Sequence, residues 1–121
     1  MVPTIGYSQN NPDEIVSQFF ATYETSPENA VDNLFVSNKW MSENQSGLMN
    51  LKTQLNNTIA LIGDYKGFEK VAELKKGDSL IQLIYHAKYD RQPLRVIFLF
   101  YKPDQQWRIQ NFLFDDKILE D

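Results

Sequence analysis

The stretch that decides the fold reads LIQLIYHAKYDRQPLRVIFLFYKPDQQWRIQNFLF and covers residues 80–114. Two short turns rich in Pro and Asp divide it into three apolar runs, each long enough for a strand: Leu80–Tyr89, Leu94–Tyr101 and Trp107–Phe114. Turns this short cannot connect two parallel strands, because a parallel crossover connection needs roughly a dozen residues or more. The stretch therefore predicts an antiparallel meander of three strands.

The turns also predict which side chains share a face of the sheet. Closing the first turn between Asp90 and Pro93 sets Tyr85 opposite Phe98, and closing the second in the same way sets Phe98 opposite Asn111. Because directly opposed residues lie on one face, the predicted core face carries Leu83, Tyr85, Ala87, Tyr89, Leu94, Val96, Phe98, Phe100, Trp107, Ile109, Asn111 and Leu113. The other face is mixed, and its apolar members are Ile84, Ile97, Leu99, Tyr101, Phe112 and Phe114.

Three helices are predicted ahead of this meander. Asn11-Pro12 and Ser26-Pro27 each combine a capping side chain with a proline at the first helical position, and each opens an apolar stripe. The first helix is predicted over Pro12–Tyr23, and a shorter second one follows from Pro27. The third is predicted from a leucine-rich stripe that begins at Leu48 and ends at Ile62, before a glycine.

Two segments between these elements are less regular. Residues 37–46 form a polar connector, whose apolar Trp40 and Met41 are expected to tuck back under it. Tyr65–Leu74 is predicted as a first strand that joins the meander through a short turn. Its register stays open, because a bulge at Gly77 would exchange the side chains that face the core.

The predicted fold class is α+β, with three N-terminal helices packed on a curved four-stranded antiparallel sheet. A length of 121 residues indicates one domain. We expect a flexible N-terminal lead over residues 1–11, a single domain over 12–115 and an acidic tail over 116–121. A hydrophobic content of 42% is that of an ordinary globular protein and argues against disorder.

Charge and composition narrow the function classes. A net charge of −4 with one adjacent basic pair, Lys75-Lys76, argues against a nucleic-acid partner, which requires clustered cations. The absence of cysteine removes thiolate metal sites, and His86 is the only histidine, so neither a metal nor a cofactor is expected. No apolar run approaches the ~20 residues that span a membrane.

Localisation stays open at this stage. The first six residues lack the basic and apolar regions of a signal peptide. The polar segment Gly6–Asn11, however, is of the kind found just after a removed leader. The protein would then be exported, to the periplasm or the medium; otherwise it is cytoplasmic.

The order of elements, together with the aromatic last strand Trp107–Phe112, resembles the nuclear-transport-factor-2-like superfamily of cystatin-like cone folds. The resemblance covers about Pro12 to Asp115, and more narrowly it is to the small uncharacterised bacterial members, which are often exported. It implies a strongly bent sheet that wraps a long helix. Since this fold hosts isomerases, dehydratases, cyclases, transport factors and interaction modules, the resemblance leaves the function open.

A concavity between sheet and helices is one candidate site. Its polar-tipped lining would be Tyr23, Trp40, Tyr85, Tyr89 and Asn111, and a small apolar ligand would be its occupant. The competing interpretation, which carries more weight, makes the aromatic members core residues whose polar atoms find partners at an edge. No catalytic residue is assigned. The weak candidate is Glu69, which a bulged first strand would turn inward near Tyr85.

The mixed face is the second candidate site. Its apolar members Ile84, Ile97, Leu99, Tyr101, Phe112 and Phe114 are ringed by polar side chains, which is the arrangement of an interface and predicts a homodimer. Alternatively, the segment Val2–Tyr7 or the tail around Ile118 and Leu119 covers this face. The functional hypothesis is therefore a non-catalytic interaction module. The alternative is a small-molecule enzyme of the isomerase, dehydratase or cyclase kind that uses the concavity.

Overall fold

The computed structural model describes residues 11–118, and it confirms the α+β class, with helices packed on a four-stranded antiparallel sheet. The predicted lead, except Asn11, lies outside the described residues, as do Leu119–Asp121 of the predicted tail. The elements in chain order are α1 (Pro12–Tyr23), α2 (Pro27–Leu34), a 3₁₀ turn (Phe35–Ser37), α3 (Lys39–Ser42), α4 (Gln45–Ile62), β1 (Tyr65–Lys76), β2 (Leu80–Tyr89), β3 (Leu94–Tyr101) and β4 (Arg108–Asp115).

The helices begin where capping side chains satisfy free backbone N–H groups. Asn11 accepts a hydrogen bond from the backbone N–H of Asp13 at 2.8 Å, and Ser26 accepts one from Asn29 at 3.2 Å. The three predicted helices are present as α1, α2 and α4. The predicted connector differs, because it contains the 3₁₀ turn and the short helix α3, and α3 begins where the Asn38 side chain caps the N–H of Met41.

The end of α4 is fastened to the turn between β2 and β3. Gly63 terminates the helix with φ of 95°, a conformation that favours glycine, and a Cβ at this position would lie 3.1 Å from the Cβ of Asp90. The backbone N–H of Arg91 donates to the carbonyl of Ile62 at 2.9 Å. This close contact holds α4 against one end of the sheet.

The sheet has the order β1-β2-β3-β4, with every neighbouring pair antiparallel, as the meander predicted. The predicted pairing of Tyr85 with Phe98 is wrong by two residues, since Leu83 lies opposite Phe98. The pairing ends at Ala87 and Leu94, so the turn is wider than the predicted two-residue tip. A shift of two residues preserves the alternation, and β2 and β3 keep their predicted faces.

The last strand carries a bulge that the alternation did not predict. Phe100 pairs with Ile109 as expected, but Leu99 then pairs with Asn111 and Phe98 pairs with Phe112. The Asn111 side chain accepts a hydrogen bond from the N–H of Phe112 at 2.9 Å, next to the extra residue.

The bulge exchanges the faces of the residues that follow it. Phe112 is buried and Phe114 packs against the core, so their predicted place on the mixed face is wrong. Asn111 and Leu113 point the other way and are exposed, so their predicted place on the core face is wrong as well.

The first strand is also bulged, although not at Gly77. The register shifts between Lys70 and Ala72, and the residues before the shift keep Glu69 opposite His86. Glu69 is exposed on the face away from the helices, so the inward position that would have made it a candidate acid is wrong. Phe68 faces inward instead, and its ring stacks on that of Phe20 at 4.4 Å.

Aromatic side chains fill the space between sheet and helices. Phe98 at the middle of β3 is fully buried, and its ring lies 5.2 Å from that of Phe19, 5.4 Å from that of Phe112 and 5.8 Å from that of Tyr85. Such interlocked rings pack as densely as a protein interior requires.

None of the helices within residues 11–118 combines the length and the apolarity needed to cross a membrane.

Candidate functional site

The predicted concavity is occupied by a pair of hydrogen-bonded tyrosines. The hydroxyl groups of Tyr23 on α1 and Tyr89 on β2 lie 2.5 Å apart, and both side chains are buried. The ring of Tyr65 meets both of them edge-on, at 5.3 Å and 5.6 Å. Tyr23 and Tyr89 do come together as predicted. Each hydroxyl, however, forms its hydrogen bond with the other, and the two buried side chains fill the space between α1 and β2.

Burial raises the pKa of these phenols above the ordinary value. It raises the pKa of Tyr89 to about 12, and burial together with the charge on a nearby glutamate and on Tyr89 raises the pKa of Tyr65 to about 12. The pKa of Tyr23 is raised further still, because its burial is deeper. Phenols in this state donate hydrogen bonds and are poor proton acceptors at neutral pH.

Tyr85 belongs to a separate polar cluster at the start of α1. Its hydroxyl donates to a carboxylate oxygen of Asp13 at 3.4 Å, and the Lys70 ammonium lies 3.1 Å from the same oxygen. Lys70 also pairs with Glu73. Burial and the Asp13 charge raise the pKa of Tyr85 to about 12. Because every charge here has an opposite charge beside it, the cluster fastens α1 to β1.

The remaining two predicted lining residues lie elsewhere. Trp40 on α3 is 61% exposed, with the Lys39 ammonium 5.1 Å and the Arg108 guanidinium 4.9 Å from its ring. Asn111 lies on the opposite side of the sheet from the helices. The five residues of the predicted pocket therefore do not meet around one cavity.

Clefts do occur at the periphery of the described part of the chain. One of about 190 Å³ lies between α1 and α2 and is lined by Gln18, Thr22, Asn33 and Trp107, among others. Another, of about 620 Å³, is an open groove between α1 and β1 beside Phe68. Neither is bordered by Tyr23, Tyr85 or Tyr89.

The face of the sheet that points away from the helices, here called the outer face, carries a row of aliphatic side chains. Ile84 lies opposite Ile97, and Ile97 lies opposite Leu113, so the row crosses β2, β3 and β4. Leu99 lies next along β3, and Leu113 is 50% exposed. Four of the predicted interface residues, Ile84, Ile97, Leu99 and Tyr101, thus share this face, and Leu113 takes the place expected for Phe112 and Phe114.

Polar groups border the aliphatic row. At one end, the Arg95 guanidinium forms two hydrogen bonds with the Asp115 carboxylate, at 2.8 Å and 2.7 Å, and these bonds lower the pKa of Asp115. At the other end, Arg108 lies opposite Tyr101, with its guanidinium 5.6 Å from the ring. His86 is half-buried between Glu69 and Arg95.

The sequence placed Leu113 on the core face and Arg108 in the polar ring of the mixed face, but it did not predict that Leu113 joins the outer face or that Arg108 contacts Trp40. The signal for Leu113 was available, because the consecutive polar pair Gln110-Asn111 interrupts the apolar alternation between Ile109 and Phe112. No comparable signal joins Arg108 to Trp40, since their contact depends on the path of the connector.

Within residues 11–118, no three His, Asp or Glu side chains group closely enough to hold a metal ion. Comparisons with protein-family models, curated proteins and solved structures gave no match.

Proposed function

We propose that this chain is a non-catalytic interaction module that forms a homodimer through the outer face of its sheet. The observation that carries the proposal is the row of Ile84, Ile97 and Leu113 across three strands, with Leu99 beside it. These side chains point away from the helices that build the core. Ile84 is already buried, whereas Ile97 and Leu99 are half-buried and Leu113 is 50% exposed, so a partner surface would remove the exposed part of the row from water.

The surroundings of the row fit an interface between two copies. Interfaces combine an apolar centre with a polar rim, and here the Arg95–Asp115 ion pair and Arg108 border the aliphatic side chains. A two-fold axis would let the same patch serve both subunits, and a contact of standard size buries about 800 Å² on each.

The filled interior supports an interaction at the surface. Phe98, Phe20 and the Tyr23–Tyr89 pair are buried between sheet and helices, where the alternative enzyme function would need a pocket. We also propose membership of the nuclear-transport-factor-2-like superfamily. The support for it is the order of the elements, with helices first and an antiparallel meander after them.

The test is the mass of the protein in solution, measured by sedimentation at several concentrations. The wild-type chain should approach twice its 14.1 kDa as the concentration rises. Leu99→Arg would place like charges at the desolvated centre of the interface and should return the protein to a monomer. Leu61→Arg is the matched control, because Leu61 is exposed on α4, away from the sheet's outer face.

Both variants should keep the far-ultraviolet spectrum of the wild type, since neither side chain belongs to the core. A mass near 14 kDa at every concentration up to tens of micromolar would rule the dimer out. Dissociation by Leu61→Arg as strongly as by Leu99→Arg would place the interface elsewhere.

A further inference from the structure

We propose that a second site, formed by Lys39, Trp40, Tyr101 and Arg108, binds a carboxylate in an acidic segment of a protein partner. We call these four residues the Arg108 cluster. It lies at the edge of the sheet, where α3 approaches β4, and the inference does not rest on the proposed dimer.

Two elements far apart in the chain bring the cluster together. The amide of Asn38 donates to the carbonyl of Ile109 at 2.8 Å and so fixes the start of α3 against β4. Trp40 then reaches the neighbouring Arg108, and the guanidinium carbon lies 4.9 Å from the centre of its ring. Tyr101 lies opposite Arg108 on β3 and presents a second ring at 5.6 Å. The guanidinium is thus held in place by aromatic contacts.

The cations of the cluster have no acidic partner within the described part of the chain. The ion pairs among residues 11–118 use Lys52, Lys70, Lys75 and Arg95, and neither Arg108 nor Lys39 forms one. The Nε of Arg108 is shielded from solvent and has no hydrogen-bond acceptor among the same residues. In a chain with a net charge of −4, this concentration of unneutralised positive charge beside exposed aromatic surface calls for an anionic ligand.

The chemistry of the cluster favours a carboxylate on a peptide. A guanidinium presents its N–H groups in a planar fork that matches the two oxygens of a carboxylate, and adjacent rings reduce its hydration and strengthen the pairing. The Trp40 ring, 61% exposed, offers an apolar surface for a side chain next to the acid. Trp, Tyr and Arg are also the residue types that dominate binding energy at interfaces. A nucleic acid is disfavoured, because two cations are too few to neutralise a run of phosphates.

The test uses a fluorescein-labelled peptide of sequence Glu-Glu-Leu-Glu-Glu-Leu and measures its anisotropy at low ionic strength. The wild-type protein should bind this peptide and should not bind the same peptide with Gln in place of Glu. Arg108→Gln should weaken binding by about tenfold or more, the effect of losing a charge-assisted bidentate contact. Lys66→Gln removes an exposed cation on β1 and should change the affinity by less than about twofold.

Two further variants make the result specific. Arg108→Lys keeps the charge without the planar fork and should recover only a small part of the affinity. Trp40→Ala tests the aromatic contact and changes an exposed residue. If Arg108→Gln does not keep the wild-type circular dichroism spectrum, Trp40→Ala serves as the test variant in its place. Because Tyr101 and Arg108 also border the outer face, the peptide would compete there with a second copy of the chain, and binding should be at least as tight in Leu99→Arg as in the wild type.

Three outcomes would overturn the proposal. The first is no measurable binding of the Glu-containing peptide. The second is equal weakening by Arg108→Gln and Lys66→Gln, which would indicate unspecific charge attraction. The third is tighter binding of a single-stranded oligonucleotide than of the peptide.

Discussion

The hydroxyl oxygens of Tyr23 and Tyr89 lie 2.5 Å apart, and this hydrogen bond joins the first helix to the far end of the second strand. Both side chains are buried, so neither hydroxyl can turn to water if the other is removed. The pair therefore couples the position of α1 to that of β2 through a polar contact inside an aromatic core.

Removing one hydroxyl of this pair should destabilise the protein. Tyr89→Phe leaves the Tyr23 hydroxyl buried without its partner, and we expect a loss of about 1–3 kcal/mol in the free energy of unfolding. The double variant Tyr23→Phe/Tyr89→Phe should lose less than the sum of the two single variants, because it leaves no orphaned group. Urea denaturation of the four proteins measures this coupling.

Tyr101→Phe is the control for that cycle, since Tyr101 is only half-buried on the outer face. It should change the free energy of unfolding by less than about 0.5 kcal/mol. Strict additivity of Tyr23→Phe and Tyr89→Phe would mean that the hydrogen bond contributes no energy.

Stability should fall at alkaline pH. The pKa of Tyr65, Tyr85 and Tyr89 is raised from 10.0 to about 12 in the folded protein, so the folded state retains protons that the unfolded chain releases. Their contribution is complete below pH 10 and is lost as the pH rises through about 12. The melting temperature measured across this range should decrease, and phenolate absorbance should rise together with unfolding. Titration of all phenols near pH 10 with the fold intact would contradict the prediction.

Phe98→Ala should be the most damaging single change in the core. Phe98 has no exposed surface and contacts the rings of Phe19, Tyr85 and Phe112. Truncation leaves a cavity and should cost ~3–5 kcal/mol, a large part of the stability of a domain this size. Chemical denaturation measures the loss, with Val36→Ala at an exposed position as control. A loss below about 1 kcal/mol would show that β3 does not pack as described.

Asp115→Asn should destabilise the protein in a pH-dependent way. The Asp115 carboxylate accepts two hydrogen bonds from Arg95, which lower its pKa below the ordinary value of 3.8. Its contribution is present above that value and is lost as the pH falls through the lowered pKa. The variant should thus be less stable than wild type at neutral pH by about 1–3 kcal/mol, and the difference should shrink in acid. Asp104→Asn, in an exposed turn, is the control and should change the free energy of unfolding at neutral pH by less than about 0.5 kcal/mol.

Local signals in the sequence predicted the helices and the meander well, because caps and turns act over a few residues. Asn11-Pro12 and Ser26-Pro27 mark α1 and α2, and Gly63 marks the end of α4. Alternation along β2 and β3 also predicted that Ile84 and Ile97 share the outer face.

The parts that were mispredicted depend on contacts between distant residues. A single extra residue in β4 places Phe112 in the core and Leu113 on the outer face. The prediction assumed strict alternation of side chains along the strand, and such an assumption cannot include a bulge. Trp40 was expected to tuck inward because it is apolar, whereas a cation–π contact with Arg108 keeps it at the surface. A pattern read along the chain contains no information on that contact.

The Asn38 side chain has a consequence for the order of folding. Its carbonyl oxygen caps α3 by accepting from Met41, while its amide donates to Ile109, 71 residues later in the chain. A four-residue helix cannot persist by itself, so α3 has no stable form until the last strand has joined the sheet. During synthesis on the ribosome, Lys39–Ser42 can therefore take their final shape only after β4 has emerged.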